Sequence, residues 1–356
     1  MRRPSPARRV RRREMAGDDA DGTNATAGRK GFLIVVGLFA VAVAIIVVGV
    51  ALYTDSNGAE SGGATTIPSS RSPSSESVDE PPSSSSTTGT RLSPLAAGSI
   101  IFGMSRGGTS QVFIRDLASG AQHEVAGELV NPVQPTSDAD GARIAVVADD
   151  GAGIYLRRSR DDSFIRLPLP ARSHSPALSP DGLQMAFVSE VSGQEDIYIV
   201  DIATLSVRAV ADSSSDEFDP AWAPTGDYLA FVRHGSVSDD VVVVTPDGAV
   251  VSVVDSPGAK WSPAISAIPI DGASLVSFVG SVEGQRDPQL ATLASGVVVA
   301  THATPGTDLG LTWCGNGSLV VSSVDSGLLM ISPDGEQSEL GQTQGASDPQ
   351  WFGPVA

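Results

Sequence analysis

Cysteine is almost missing from this chain of 356 residues, where Cys314 stands alone. One thiol makes no intrachain disulfide and no multi-cysteine zinc site, since both need at least two. Cations are also scarce: 23 Lys and Arg oppose 41 Asp and Glu, and lysine supplies only two of the 23. The formal charge of −18 leaves no excess to neutralise phosphates, which excludes nucleic acid as the expected partner. The four histidines, His123, His174, His234 and His302, show no metal-ligand spacing, and Gly127 stands where a zinc helix motif beginning at His123-Glu124 needs its second histidine. No Gly-x-Ser-x-Gly elbow occurs. Gly151-Ala152-Gly153 precedes no helical pattern, so it is not read as a phosphate-cradling loop.

What charge there is lies unevenly. Residues 1–30 hold nine cations and four acids, and residues 31–53 hold none of either sign. That second stretch is rich in Val, Ile, Leu and Ala, and at about 1.5 Å per residue it is long enough for a bilayer core of about 30 Å. It reads as a single transmembrane helix following a basic cytoplasmic tail, because Arg and Lys beside a span stay inside. A signal peptide cleaved after Ala51 is the alternative, although its apolar core would be shorter, roughly 7–15 residues. Residues 54–97 are Ser, Thr, Pro and Gly with few large apolar side chains, the composition of a disordered stalk. Residues 98–356 keep twelve cations and thirty-two acids, a net of −20. The expected product is a single-pass protein of the cytoplasmic membrane, N-terminus inside and an acidic domain outside.

That domain is a repeat. His174–Asp212 laid beside the segment from Phe218 shows Pro, a bulky residue two places on, a second Pro, a glycine turn and an alternating apolar strand in both. The leading column runs Pro135, Pro176, Pro220, Pro263, Leu311 and Pro349, a period of about 43 residues. Two places after it stand Ser137, Leu178, Trp222, Ile265, Trp313 and Trp351, so three of four tryptophans share one position. Turns at Asp140-Gly141, Asp181-Gly182, Thr225-Gly226, Asp271-Gly272 and Asn316-Gly317 follow the first strand. Second strands such as Met185–Val188, third strands such as Ile197–Val200 and fourth strands such as Val207–Val210 complete a unit of four. Four short strands per unit with no helical period predict an all-β fold built of propeller blades.

The termini set the number. Gly98–Asp116 aligns without gaps on Leu183–Asp201, placing Phe102 over Phe187, Phe113 over Tyr198 and Asp116 over Asp201. The first unit therefore lacks its first strand, and Ser347–Pro354, SDPQWFGP, has a first strand and nothing after it. Joined, the two ends make one blade, so the sequence predicts a six-bladed β-propeller over 98–356 closed by Pro349–Phe352.

SPALSPDGLQMAFVS with DIYIVD, and DPAWAPTGDYLAFV, resemble the WD-like repeats of the TolB C-terminal propeller. The resemblance covers about residues 98–356 and is strongest over His174–Arg233. It implies a ring whose first strands line a central channel used for contact with other proteins rather than for chemistry. TolB proteins carry an α/β domain before the propeller, whereas here the basic, apolar and Ser/Thr/Pro-rich stretches occupy that place. Similar blades precede the hydrolase domain of prolyl-oligopeptidase-like enzymes, a reading the missing elbow removes.

If the channel binds anything, the residues before the proline column should ring one mouth: Gln134, Ser175, Asp219, Ser262, Gly310 and Asp348. Two carboxylates among neutral oxygens suit a cationic partner loop, a small ligand or a divalent cation. Asp138, Asp140 and Gly141 lack the remaining ligands of a calcium loop and are read as a turn, the tryptophan column as packing between blades, and Cys314 as a buried small apolar residue. No catalytic residue, resident metal or cofactor is expected. The reading is a non-enzymatic interaction scaffold of the cell envelope with envelope proteins as partners; a sensor of ligand or envelope polymer, and a lactonase-like hydrolase with a channel metal, are the alternatives.

Overall fold

The computed structural model describes residues 98–149, 153–282 and 284–354, all in strands, turns and loops. The cytoplasmic tail, the membrane span of 31–53 and the stalk of 54–97 lie outside the described residues, and so do Gly151 and Ala152. Among the described residues no helix is long and apolar enough to cross a membrane.

Among the described residues, twenty-four strands form six four-stranded sheets arranged as propeller blades. Blade 1 holds β1 (Ser99–Arg106), β2 (Thr109–Asp116) and β3 (Gln122–Val125). Blade 2 holds β4 (Val133–Ser137), β5 (Ile144–Ala148), β6 (Gly153–Arg157) and β7 (Ile165–Arg166). Blade 3 runs through β8 (His174–Leu178), β9 (Gln184–Ser189), β10 (Asp196–Asp201) and β11 (Val207–Ala211). Blade 4 has β12 (Glu217–Trp222), β13 (Leu229–Arg233), β14 (Asp240–Val244) and β15 (Val250–Asp255). Blade 5 has β16 (Lys260–Ile265), β17 (Leu275–Val282), β18 (Gln285–Thr292) and β19 (Val298–Thr301), its third strand being one that the sequence pattern did not reveal. Blade 6 has β20 (Asp308–Trp313), β21 (Leu319–Ser323), β22 (Gly327–Ile331) and β23 (Gln337–Glu339). The last strand, β24 (Ala346–Phe352), pairs antiparallel with β1 and supplies the inner strand of blade 1.

A single twisted sheet exposes two faces, and each blade buries both against its neighbours. Six apolar clusters result, one per blade junction: Ala145, Val147 and Ile154 of blade 2 meet Met185, Phe187 and Val200 of blade 3, for example. Middle strands such as β5 (IAVVA) and β21 (LVVSS) are consequently buried at every position, which hides the two-residue alternation expected of a strand with one wet face. Phe102, Phe187, Phe231 and Phe278 fill one repeat position in four blades with no measurable exposure. The alignment of blade 1 on blade 3 has a geometric counterpart. Phe102 stacks on Phe113 with centroids 6.1 Å apart, and Phe187 on Tyr198 at 5.8 Å, both at 27°. Asp116 accepts the Ser119 amide at 2.7 Å, and Asp201 accepts the Thr204 amide at the same distance, so each aspartate folds the same turn.

Candidate binding site in the central channel

The inner strands of blades 1 to 5 share one irregularity. In β8, His174 pairs with Val188 and Ala177 with Ala186, so three residues oppose two across the ladder. Proline has no N–H to give a ladder and is confined inside sheets to edges and bulges. The bulge accommodates Pro176 and turns Ser175 into the left-handed region, at φ 47°. Gln134, Asp219, Ser262 and Asp348, each before its own proline, have φ of 50°, 52°, 50° and 48°. Five non-glycine residues thus hold a conformation that costs roughly 1–3 kcal/mol each and survives only where surrounding structure imposes it. In blade 6, Leu311 replaces the proline, Gly310 is outside this left-handed set, and the slip lies between Asp308 and Gly310.

These five residues come together around a channel cavity of about 240 Å³ to which all six blades contribute. Blade 6 contributes Leu309, Leu311, Thr312 and Trp313 to its wall, and Gly310 is not among the lining residues. Two of the five fasten blades together. Gln134 Oε1 accepts the Ser175 amide at 3.0 Å while its Nε2 donates to Ser175 Oγ at 3.2 Å, and Asp219 Oδ2 accepts the Ser262 amide at 3.0 Å. A second tier lies two residues further along. Thr136 Oγ1 accepts the Leu178 amide at 3.0 Å, Thr312 Oγ1 the Trp351 amide at 3.1 Å, and Gln350 Oε1 the Ser137 amide at 2.8 Å. Sequence reading missed this tier; its signal is a polar residue directly after the proline column, where blades 3, 4 and 5 carry Ala177, Ala221 and Ala264.

The channel mouth is acidic. Neither Asp219 nor Asp348 forms an ion pair among the described residues. Burial pushes the Asp219 carboxyl up to about 6; the Ser262 amide and His174 pull it down, and Asp348 and Glu195 push it further. Asp348 is raised as well, by burial first, with a hydrogen bond from Ser347 working against it. His174 stands near Asp219, its Nδ1 3.1 Å from Ser175 Oγ and its Nε2 3.4 Å from Glu195 Oε1. Carboxylates held in poorly solvated surroundings without counter-ions favour the arrival of a cation, which restores part of the lost solvation.

Trp313 and Trp351 are buried, and half-buried Trp222 donates its indole N–H to Ala177 O of blade 3 at 3.0 Å; together with Trp261 they also wall the channel. Asp138 accepts the Arg143 amide at 3.0 Å and Asp140 the Ala142 amide at 2.8 Å, as members of a turn. His234 pairs with Asp239 at 2.8 Å, far in sequence from the other histidines. Cys314 is fully buried and its thiol is pushed up to about 12. Among the described residues no three of His, Cys, Asp or Glu gather in a way that could hold a metal ion.

No protein-family model matches the chain. Over 149 residues it is 31% identical to the Protein TolB homolog of Chlorobium luteolum, a match covering 42% of this chain and 30% of that protein. The chain thus spans under a third of the curated relative's length. TolB from Acinetobacter baumannii superposes with a TM-score of 0.61 at 19% identity, covering 72% of this chain and 67% of that one. A chain of a nidogen/laminin complex (TM-score 0.54, 8% identity, 72% and 98% covered) and Kuenenia stuttgartiensis hydrazine synthase (0.54, 12%, 73% and 47%) share the architecture too. Proteins so different on one fold show that the propeller alone names no activity, and the sequence match points within that fold to a TolB-like propeller.

Proposed function

We propose that this propeller is a non-enzymatic interaction module of the cell envelope whose channel mouth receives a cationic segment of a partner protein. The observation that carries the reading is the ring of five left-handed residues around one cavity, two of them carboxylates without counter-ions. The likeness to TolB proteins supports an envelope role with protein partners. Residues 31–53 would anchor the chain in the cytoplasmic membrane and residues 54–97 would hold the propeller outside it, a topology supported by the uncharged apolar run after a basic tail.

A photo-crosslinking residue replacing Ser262, incorporated in intact cells, tests the channel. The expected result is capture of a defined envelope protein, lost in the Asp219→Asn/Asp348→Asn double variant and weakened by added salt. Equal capture by the double variant would remove the channel from the function. Protease added to intact spheroplasts should digest the propeller and spare residues 1–30; the reverse pattern would overturn the topology.

A further inference from the structure

A second cavity, of about 580 Å³, opens between blades 1 and 2, away from the proline ring. It falls within the usual size of small-molecule sites, roughly 300–1,000 Å³. Its apolar wall comes from Ile114, Val125, Phe164 and Phe352, and its charged wall from Arg157 with Glu124 and Glu128.

Arg157 is the anomaly. Its repeat position, set by pairing with the second strand, is filled by Val200 opposite Met185, Val244 opposite Leu229 and Ile331 opposite Leu319, each no more than 2% exposed. Arg157 pairs in the same register with Ile144 and so stands half-buried at this position, lining the cavity. Blade 1 has Arg115 there, but that side chain donates to Gly341 O of blade 6 at 3.1 Å. Arg157 has no ion pair among the described residues, and its Nε is buried with no hydrogen-bond partner. Its guanidinium carbon lies 5.7 Å from the centroid of the Phe164 ring, and Glu128 and Asp138 act on it only as nearby charges. A ring face attracts a cation but accepts none of its N–H bonds in place of an oxygen. Burial also pushes the Arg157 pKa down, as expected of a cation held without a sufficient partner. Arg160, by contrast, is occupied by Asp140 O at 2.6 Å.

We infer that this cavity binds a small zwitterion with an apolar body, of the class of the aromatic and branched α-amino acids. Arg157 takes the carboxylate through its planar fork, Phe164 and Phe352 cover the apolar body, and Glu124 and Glu128 receive the ammonium group. The carboxylates of Glu124, Glu128 and Asp162 outnumber the guanidinium groups of Arg157 and Arg160 in this wall, so a dianion such as phosphate is disfavoured and a zwitterion is matched.

Calorimetric titration of the full-length chain with L-phenylalanine and L-leucine tests the inference, with phenethylamine lacking the carboxylate and 3-phenylpropionate lacking the amine. The expected result is binding of the amino acids with Kd of about 1 mM or tighter. Phenethylamine should bind at least about tenfold more weakly, because it leaves Arg157 unpaired. Arg157→Met, which restores an aliphatic side chain to the column, should abolish amino-acid binding and unfold at or above the wild-type temperature. Arg157→Lys keeps the charge without the fork and should weaken binding at least about tenfold, which keeps the test decisive even where the Met variant folds poorly. Glu128→Gln should weaken L-phenylalanine and spare 3-phenylpropionate, while Asp219→Asn in the channel should change neither. Undiminished L-phenylalanine binding by both Arg157 variants, equal binding of phenethylamine, or no heat up to about 10 mM amino acid would overturn the inference.

Discussion

Asp308 shows what a single side chain costs this fold. It is fully buried at the start of β20, one carboxylate oxygen accepts Thr304 Oγ1 at 2.6 Å, and the other has no hydrogen-bond partner. Burial, reinforced by Asp287, raises its pKa to about 6, with the hydrogen bond from Thr304 and the nearby Ser323 hydroxyl opposing the shift. The folded state therefore holds a proton between its ordinary value of 3.8 and about 6 that the unfolded chain releases, so stability falls as pH rises through that window. The loss amounts to at most roughly 3 kcal/mol by pH 7. Asp308→Asn should flatten the dependence of Tm on pH between 4 and 7; an unchanged slope would show that other groups carry it. Asp219 titrates at the same value, about 6, and the same proton competes with any cation at the channel mouth. Partner affinity should accordingly drop as pH is lowered through 6, and Asp219→Asn should remove that drop together with part of the affinity, read by binding titrations across pH. Cys314 should stay unreactive toward a thiol reagent until the propeller unfolds, because it is buried and its thiolate is scarce.

At the scale of elements, neighbouring inner strands are joined by side chains accepting amides across the blade boundary. Removing Thr312 Oγ1 would take away the acceptor that β20 offers the Trp351 amide of the closing strand. Thr312→Ala should cost about 1–3 kcal/mol in urea denaturation, the price of an unsatisfied buried donor, while Thr312→Ser should recover most of it. Phe187→Ala, at a junction between blades 2 and 3, should cost about 3–5 kcal/mol from lost burial and the cavity left behind. The elements were unequally legible. Blades 3 and 4 announced themselves because the first strand of each ends in a glycine turn, and Gly182 and Gly226 do adopt positive φ, 67° and 79°. β18, QRDPQLAT, did not, because its first half is polar and carries Pro288, and only its ladders to β17 and β19 make it a strand. The bulge was invisible too: a proline column shows where no amide is donated, and the pairing register alone shows the chain stepping around it.

For the whole molecule, closure rests on β24, whose Ile100–Trp351 and Ser99–Phe352 pairs join the two ends of the propeller. Deleting residues 346–356 would expose the inner edge of β1 and uncover Phe102 and Met104 in the junction with blade 6. The truncated chain should lose its single cooperative unfolding transition and self-associate, seen by circular dichroism and size-exclusion chromatography; a monomer melting like the wild type would show that the seam is dispensable.

Sequence alone determined the period, the number of blades and the identity of the five residues before the prolines, because a repeat places equivalent side chains at equivalent depth whatever its detailed geometry. Only the tertiary structure decided what those residues do. It set the left-handed turns that bring them around one cavity, the amides they accept from the next blade, and the unpaired carboxylates left at the mouth. It alone could show Arg157 beside the second cavity with no ion pair among the described residues, since pairing between charges set apart in the chain depends on how the blades pack and not on the order of residues within them.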